Sequence, residues 1–153
     1  MNAKAILTLL FFLSIRALGQ DLGQPQMAQC KFSDGKKITV TYSPEHRSYR
    51  LFTDEPLITA AGVTVPAGDY TVVRGWERHG HFLILQKATG AGESSQLPRI
   101  PMSAATLTAP QKKDAVSFVS ISGSCTMQVA SEQSKTLLSL EFTEKNRDLP
   151  VIR

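Results

Sequence analysis

From Cys30 to Phe142 apolar and polar residues change places at every second position, in short runs broken by Gly, Pro, Ser and Asp. Successive side chains of a strand leave opposite faces of the pleat, so this period predicts strands with one buried face. Cys30 and Phe32 alternate with Lys31 and Ser33, and Ile38, Val40 and Tyr42 alternate with Thr39 and Thr41. Between these runs Asp34-Gly35 supplies two residues that tolerate positive φ, as a tight hairpin turn requires. The stretch Gly62 to Val73, GVTVPAGDYTVV, reads as a second hairpin turning at Pro66-Ala67-Gly68, with Val63 and Val65 facing Tyr70 and Val72. HFLILQK (His81 to Lys87) is apolar on both faces for several residues, as an interior strand is. The last third holds three runs, AVSFVSI, CTMQVA and KTLLSLEF. In them Cys125, Met127 and Val129 share one face, and Thr136, Leu138, Leu140 and Phe142 share another. Ser43 to Pro56 is polar and irregular, and Pro44 and Pro56 argue against central strands there. Ala88 to Pro98 reads as a Gly/Ser loop. Many short strands at about ten-residue spacing predict an all-β fold, a single antiparallel β-sandwich of Greek-key or jelly-roll type.

The N-terminus changes the picture of compartment. Lys4, an apolar run from Ala5 to Ile15 and then Ala17-Leu18-Gly19 form the pattern of a secretory signal peptide over residues 1–19. The apolar run is roughly half the ~20 residues a spanning helix needs, so no permanent membrane anchor is expected after cleavage. The expected destination is the periplasm or the extracellular space. Residues 20–29 read as a flexible leader, and residues 30–153 as the sandwich, the size of one domain. The formal charge of +4 includes Lys4 and Arg16, which leave with the signal. The remaining Lys and Arg residues are scattered among acids without interleaved aromatics, which argues against a nucleic-acid partner.

Both cysteines lie beyond the signal. In an exported chain the pair Cys30 and Cys125 reads as a disulfide between an early and a late strand, the alternative being two buried free thiols. Closing so long a loop stabilises by roughly 4–5 kcal/mol in the chain-entropy model.

The order of motifs resembles a known family. CKFSDGKKITVTYSPE, VTVPAGDYTVV, HFLILQKATG, LPRIPMSAATLTAP and CTMQV, over roughly Cys30 to Phe142, look like a diverged member of the bacterial domain-of-unknown-function family numbered 2911. The chain departs from that pattern at RSYRLFTDEPLITA, which is shorter than the family's segment, and at MQVASEQSKT, which lacks its Trp-containing stretch. The resemblance implies a secreted or periplasmic β domain and no established activity.

Candidate chemistry is sparse. His79 and His81 form a His-x-His pair whose imidazoles would share a face on a strand, a geometry that metals use, with Glu77 or His46 as further ligands. The duller reading is two exposed histidines at a turn. Trp76, the only tryptophan, lies between Arg74 and Arg78, and with Arg50 and the Ala88 to Pro98 loop it marks the expected ligand-binding region. Asp54, Glu55, Asp69 and Glu77 offer carboxylates for glycoside hydrolysis, but that reaction also needs a cleft lined by aromatics, which are few here. No nucleophile-elbow motif is present, and no cofactor is implied. The sequence therefore points first to a non-enzymatic exported module that binds a small molecule, a glycan or an envelope protein. A hydrolase acting on an envelope or extracellular substrate is the alternative.

Overall fold

The computed structural model describes residues 25–88 and 94–145. The expected signal peptide of residues 1–19, the start of the expected leader and the middle of the Ala88 to Pro98 stretch lie outside the described residues. Strands β1 (Gln26–Lys31), β2 (Lys37–Ser43) and β3 (Ser48–Thr53) form an antiparallel meander. The chain then crosses to a second sheet as β4 (Leu57–Thr59) and β5 (Thr64–Val65). It returns to the first sheet as β6 (Gly68–Glu77), which pairs with β3, and β7 (Gly80–Ala88). Along the other edge of β7 lie β8 (Ser94–Gln96) and β9 (Ile100–Pro101). One residue later the chain changes sheets again as β10 (Ser103–Thr106), followed by β11 (Ala115–Ile121), β12 (Ser124–Ala130) and β13 (Thr136–Glu144).

The strands β10, β13, β12 and β11 lie side by side in that order, which is a Greek key. The two sheets pack face to face as a β-sandwich. Ile38, Val40, Leu51, Leu83 and Leu85 project from the first sheet onto Leu57, Val65, Met127, Leu140 and Phe142 of the second, all of them buried. Each such side chain removed from water contributes about 1.5–3 kcal/mol. Both flanks are covered. The β9–β10 segment passes from one sheet to the other, and β1 lies against β11, where Gln26 Nε2 donates to the Asp114 carbonyl at 3.0 Å. Cys30 of β1 and Cys125 of β12 are disulfide-bonded with a Cα–Cα distance of 6.0 Å, tying the two sheets together as the sequence suggested.

Four local expectations need correction. Pro66-Ala67-Gly68 is no hairpin: Val65 pairs with Leu57 in the second sheet, whereas Tyr70 pairs with Leu51 and Lys87 in the first. The segment carries the chain between sheets, and Tyr70 Oη donates back to the Pro66 carbonyl at 2.6 Å. Gly68 holds φ 148°, where a side chain is strained and a Cβ would press on the Lys87 ammonium. The region from Ser43 to Pro56 contains β3, a central strand with Tyr49, Leu51 and Thr53 buried; Pro44 and Pro56 only bracket it. β1 begins at Gln26, inside the stretch read as a flexible leader, because Gln26 to Gln29 pair with Thr39 to Tyr42. In the β1–β2 turn only Gly35 has positive φ, at 84°. That turn is closed by Gly35 N–H to the Phe32 carbonyl at 3.0 Å and Phe32 N–H to the Lys36 carbonyl at 2.8 Å.

Candidate functional site: a cleft at the end of the sandwich

The inward face of β6 does not stop with the core. After Tyr70 and Val72 the same alternation carries Arg74 and Trp76, whose partners across the ladder on β7 are Leu83 and His81. The second sheet falls short of them, since β12 ends at Ala130 and β13 begins at Thr136. The result is an open cleft of ≈ 600 Å³ between the sheets, with Arg74, Trp76 and His81 on one side and Val129, Thr136 and Leu138 on the other. Trp76 is 77% exposed on what would be a core face were the sandwich longer.

Arg74 bridges the rear of the cleft. Its guanidinium lies 4.8 Å above the Tyr49 ring and donates to Ser131 Oγ at 3.0 Å, reaching from the first sheet to the turn after β12. Tyr49 in turn packs on Tyr42, with ring centroids 4.5 Å apart. The Tyr42 hydroxyl donates to Asp114 Oδ2 at 2.5 Å, and Asp114 Oδ1 accepts the Glu132 N–H at 2.9 Å. Burial first, and then the hydrogen bond to Asp114, pushes Tyr42 up to about 12. Burial acts to raise Asp114, but the Tyr42 hydroxyl, the Glu132 amide and the nearby Arg74 and Arg47 outweigh it and hold the carboxyl below its ordinary range. The Tyr49 hydroxyl is buried and has no hydrogen-bond partner among the described residues, and burial likewise raises its pKa.

The charge of the lining is one-sided: Arg47 and Arg74 contribute to it, and among the described residues no Asp or Glu does. An aromatic platform beside guanidinium groups is suited to a ligand with a flat apolar face and an anionic group.

The residues expected from sequence are scattered. Trp76 lies in the cleft, but Arg50 points outward from β3, ion-paired with Asp69 at 2.6 Å in a shallow hollow with Phe52 on the opposite face of the first sheet. His81 lines the cleft, whereas His79 sits in the turn before β7, so the two do not share a strand face. Glu77 is ion-paired with Arg99, whose guanidinium also covers the Phe82 ring. That ring lies over Gly75, where any Cβ would collide with it at 2.3 Å. Among the described residues the group able to gather around a metal lies elsewhere, at Asp34, Glu55 and Glu144.

Sequence reasoning missed Tyr49, because it lay in a segment read as irregular, and Asp114, whose loop carries no periodic signal. Arg74 was legible in principle: it follows Tyr70 and Val72 at period two, and a charge on an apolar face marks where a core ends. No protein-family model, curated protein or solved structure matches the chain.

Proposed function

We propose that this chain is an exported, non-enzymatic binding module whose site is the end cleft. Its ligand would be a small organic anion with a flat apolar face, either an acidic saccharide or an aromatic carboxylate. The observation that carries this reading is Trp76, exposed on the inward face of β6 beside Arg74 in a cleft whose charged lining is basic. Export is supported by the signal-like N-terminus and by the Cys30–Cys125 bridge, which belongs to an oxidising compartment. Membership of the family numbered 2911 rests on the order of the sequence motifs alone.

Hydrolysis is the weaker reading. It needs a pair of carboxyls flanking the scissile bond, and the cleft lining contains none. Asp69 and Glu77 are engaged by arginines, and Glu55 lies at the other end of the sandwich.

Calorimetric titration of the purified mature protein with oligogalacturonides and with a panel of aromatic carboxylates tests the proposal. Saturable binding by a member of either set is expected, weakened roughly tenfold or more by Trp76→Ala and by Arg74→Ala, a loss of about 1.4 kcal/mol each. Absence of binding across both sets, or binding indifferent to both substitutions, would refute the cleft as the site.

A further inference from the structure

A second cluster closes the opposite end of the molecule. Asp34 rides the β1–β2 turn, Glu55 lies where the chain crosses from β3 to β4, and Glu144 ends β13 on the inward face that carries Leu140 and Phe142. One carboxylate oxygen from each of the three lies within 4.8 Å of the others. Two ligand oxygens held at about 2.4 Å on opposite sides of a Ca²⁺ ion are themselves separated by roughly that span.

The cluster is built in place. Ser33 Oγ donates to Glu144 Oε2 at 3.0 Å, and the Asp34 amide donates to Glu144 Oε1 at 3.3 Å. The Lys36 amide donates to Asp34 Oδ1 at 2.9 Å. Thr53 Oγ1 fixes the backbone of Glu55, donating to its carbonyl at 2.7 Å and accepting its amide at 3.3 Å. Glu55 is 7% exposed and Glu144 9%, while Asp34 is open to solvent and gives an entry path.

The energetic problem is charge. The ion pairs among the described residues are Glu45–His46, Arg50–Asp69 and Glu77–Arg99, and none touches these three acids. Glu55 Oε1 is buried and has no hydrogen-bond partner among the described residues, its carboxyl facing the acid Asp34. Lys36 acts on Asp34 and Glu55 from a distance without forming an ion pair, and at Glu55 burial and the neighbouring Asp34 and Glu144 outweigh it. An ionised carboxylate buried beside two other acids without an ion pair carries a high cost. A bound cation removes it.

We propose that Asp34, Glu55 and Glu144 are the ligands of a divalent-cation site and that Ca²⁺ is the ion it takes. All the donors are hard oxygens, as Ca²⁺ requires, with Ser33 Oγ and water able to complete a shell of six to eight. The cluster has no sulfur or imidazole donor of the kind zinc prefers. Because the ligands come from two connections and a strand end, the ion would pin the turn and both sheets at once.

The test is calorimetric titration of the chelator-treated full chain with CaCl₂, together with the thermal midpoint as Ca²⁺ is raised. One ion per chain and a midpoint that climbs with Ca²⁺ concentration are expected. Affinity should fall by roughly tenfold or more in Glu55→Gln and in Asp34→Asn, since ligand charge tunes it. Asp34 is exposed, so its variant folds even if Glu55→Gln does not. Glu77→Gln, at the other end of the protein, should bind as the parent does. No heat and no midpoint shift at millimolar Ca²⁺, or undiminished binding in Asp34→Asn, would overturn the assignment.

Discussion

Replacing Cys30 and Cys125 together by Ala should remove a large share of the stability of this domain. The bridge closes a loop with a sequence separation of 95. In the chain-entropy model such a loop confines the unfolded chain by about 4.7 kcal/mol, close to the whole stability of many domains. For a domain of this size, one kcal/mol moves the thermal midpoint by about 3–5 °C, so the expected fall is about 14–24 °C. Both sulfurs are buried, and truncating them adds a cavity cost that has nothing to do with the cross-link. Urea unfolding of the native chain with and without reductant separates the two, because reduction keeps the sulfurs and removes only the bond. Far-ultraviolet circular dichroism is the suitable probe, since Trp76 is already exposed in the folded state and would report little. A loss below about 1 kcal/mol on reduction would refute the loop-closure argument, and two alkylatable thiols in the native protein would refute the bridge itself.

Three further outcomes follow from the packing. Leu51→Ala, at a fully buried position in the centre of the first sheet, should cost about 2–5 kcal/mol in urea unfolding, where an edge position would cost far less. Gly75→Ala should displace Phe82 from its place over the β6 backbone, lowering the thermal midpoint and shifting the Phe82 ring resonances in NMR spectra. Tyr42→Phe should flatten the alkaline side of the stability profile. The folded-state pKa of Tyr42 is about 12, above its ordinary value, so its contribution is present below about pH 10 and is lost as pH rises through 12; denaturant midpoints measured across that range will show it.

The parts of the fold that could be read in advance were those where period-two alternation and pairing partner are both local. β11, β12 and β13 follow one another through short turns, so their faces, and with them Cys125, Met127 and Phe142, were legible. The pattern around Pro66 was equally clear, yet its partners are Leu57 on one side and Leu51 on the other, and alternation says nothing about which distant strand a run will meet. β3 escaped notice for a related reason. Arg50 and Phe52 face outward, and the prolines on either side suggested a loop where they only mark its ends. At the site, Trp76 could be singled out as the lone tryptophan with Arg74 near it in sequence, but the residues that Arg74 meets could not. Tyr49, Arg74 and Ser131 come together only when the two sheets are stacked. The acids of the opposite end show the same limit, since Asp34 and Glu144 are 110 residues apart.

The most direct test of the binding cleft uses Trp76 itself. Because it is the only tryptophan, acrylamide quenching of its emission reports on one position. In the free protein quenching should approach that of an exposed indole, as its 77% exposure requires. Saturating oligogalacturonide or aromatic carboxylate should shield it and shift its emission to the blue, and Arg74→Ala should abolish that protection at the same ligand concentration. Quenching unchanged by a ligand shown by calorimetry to bind would place binding elsewhere and contradict the account.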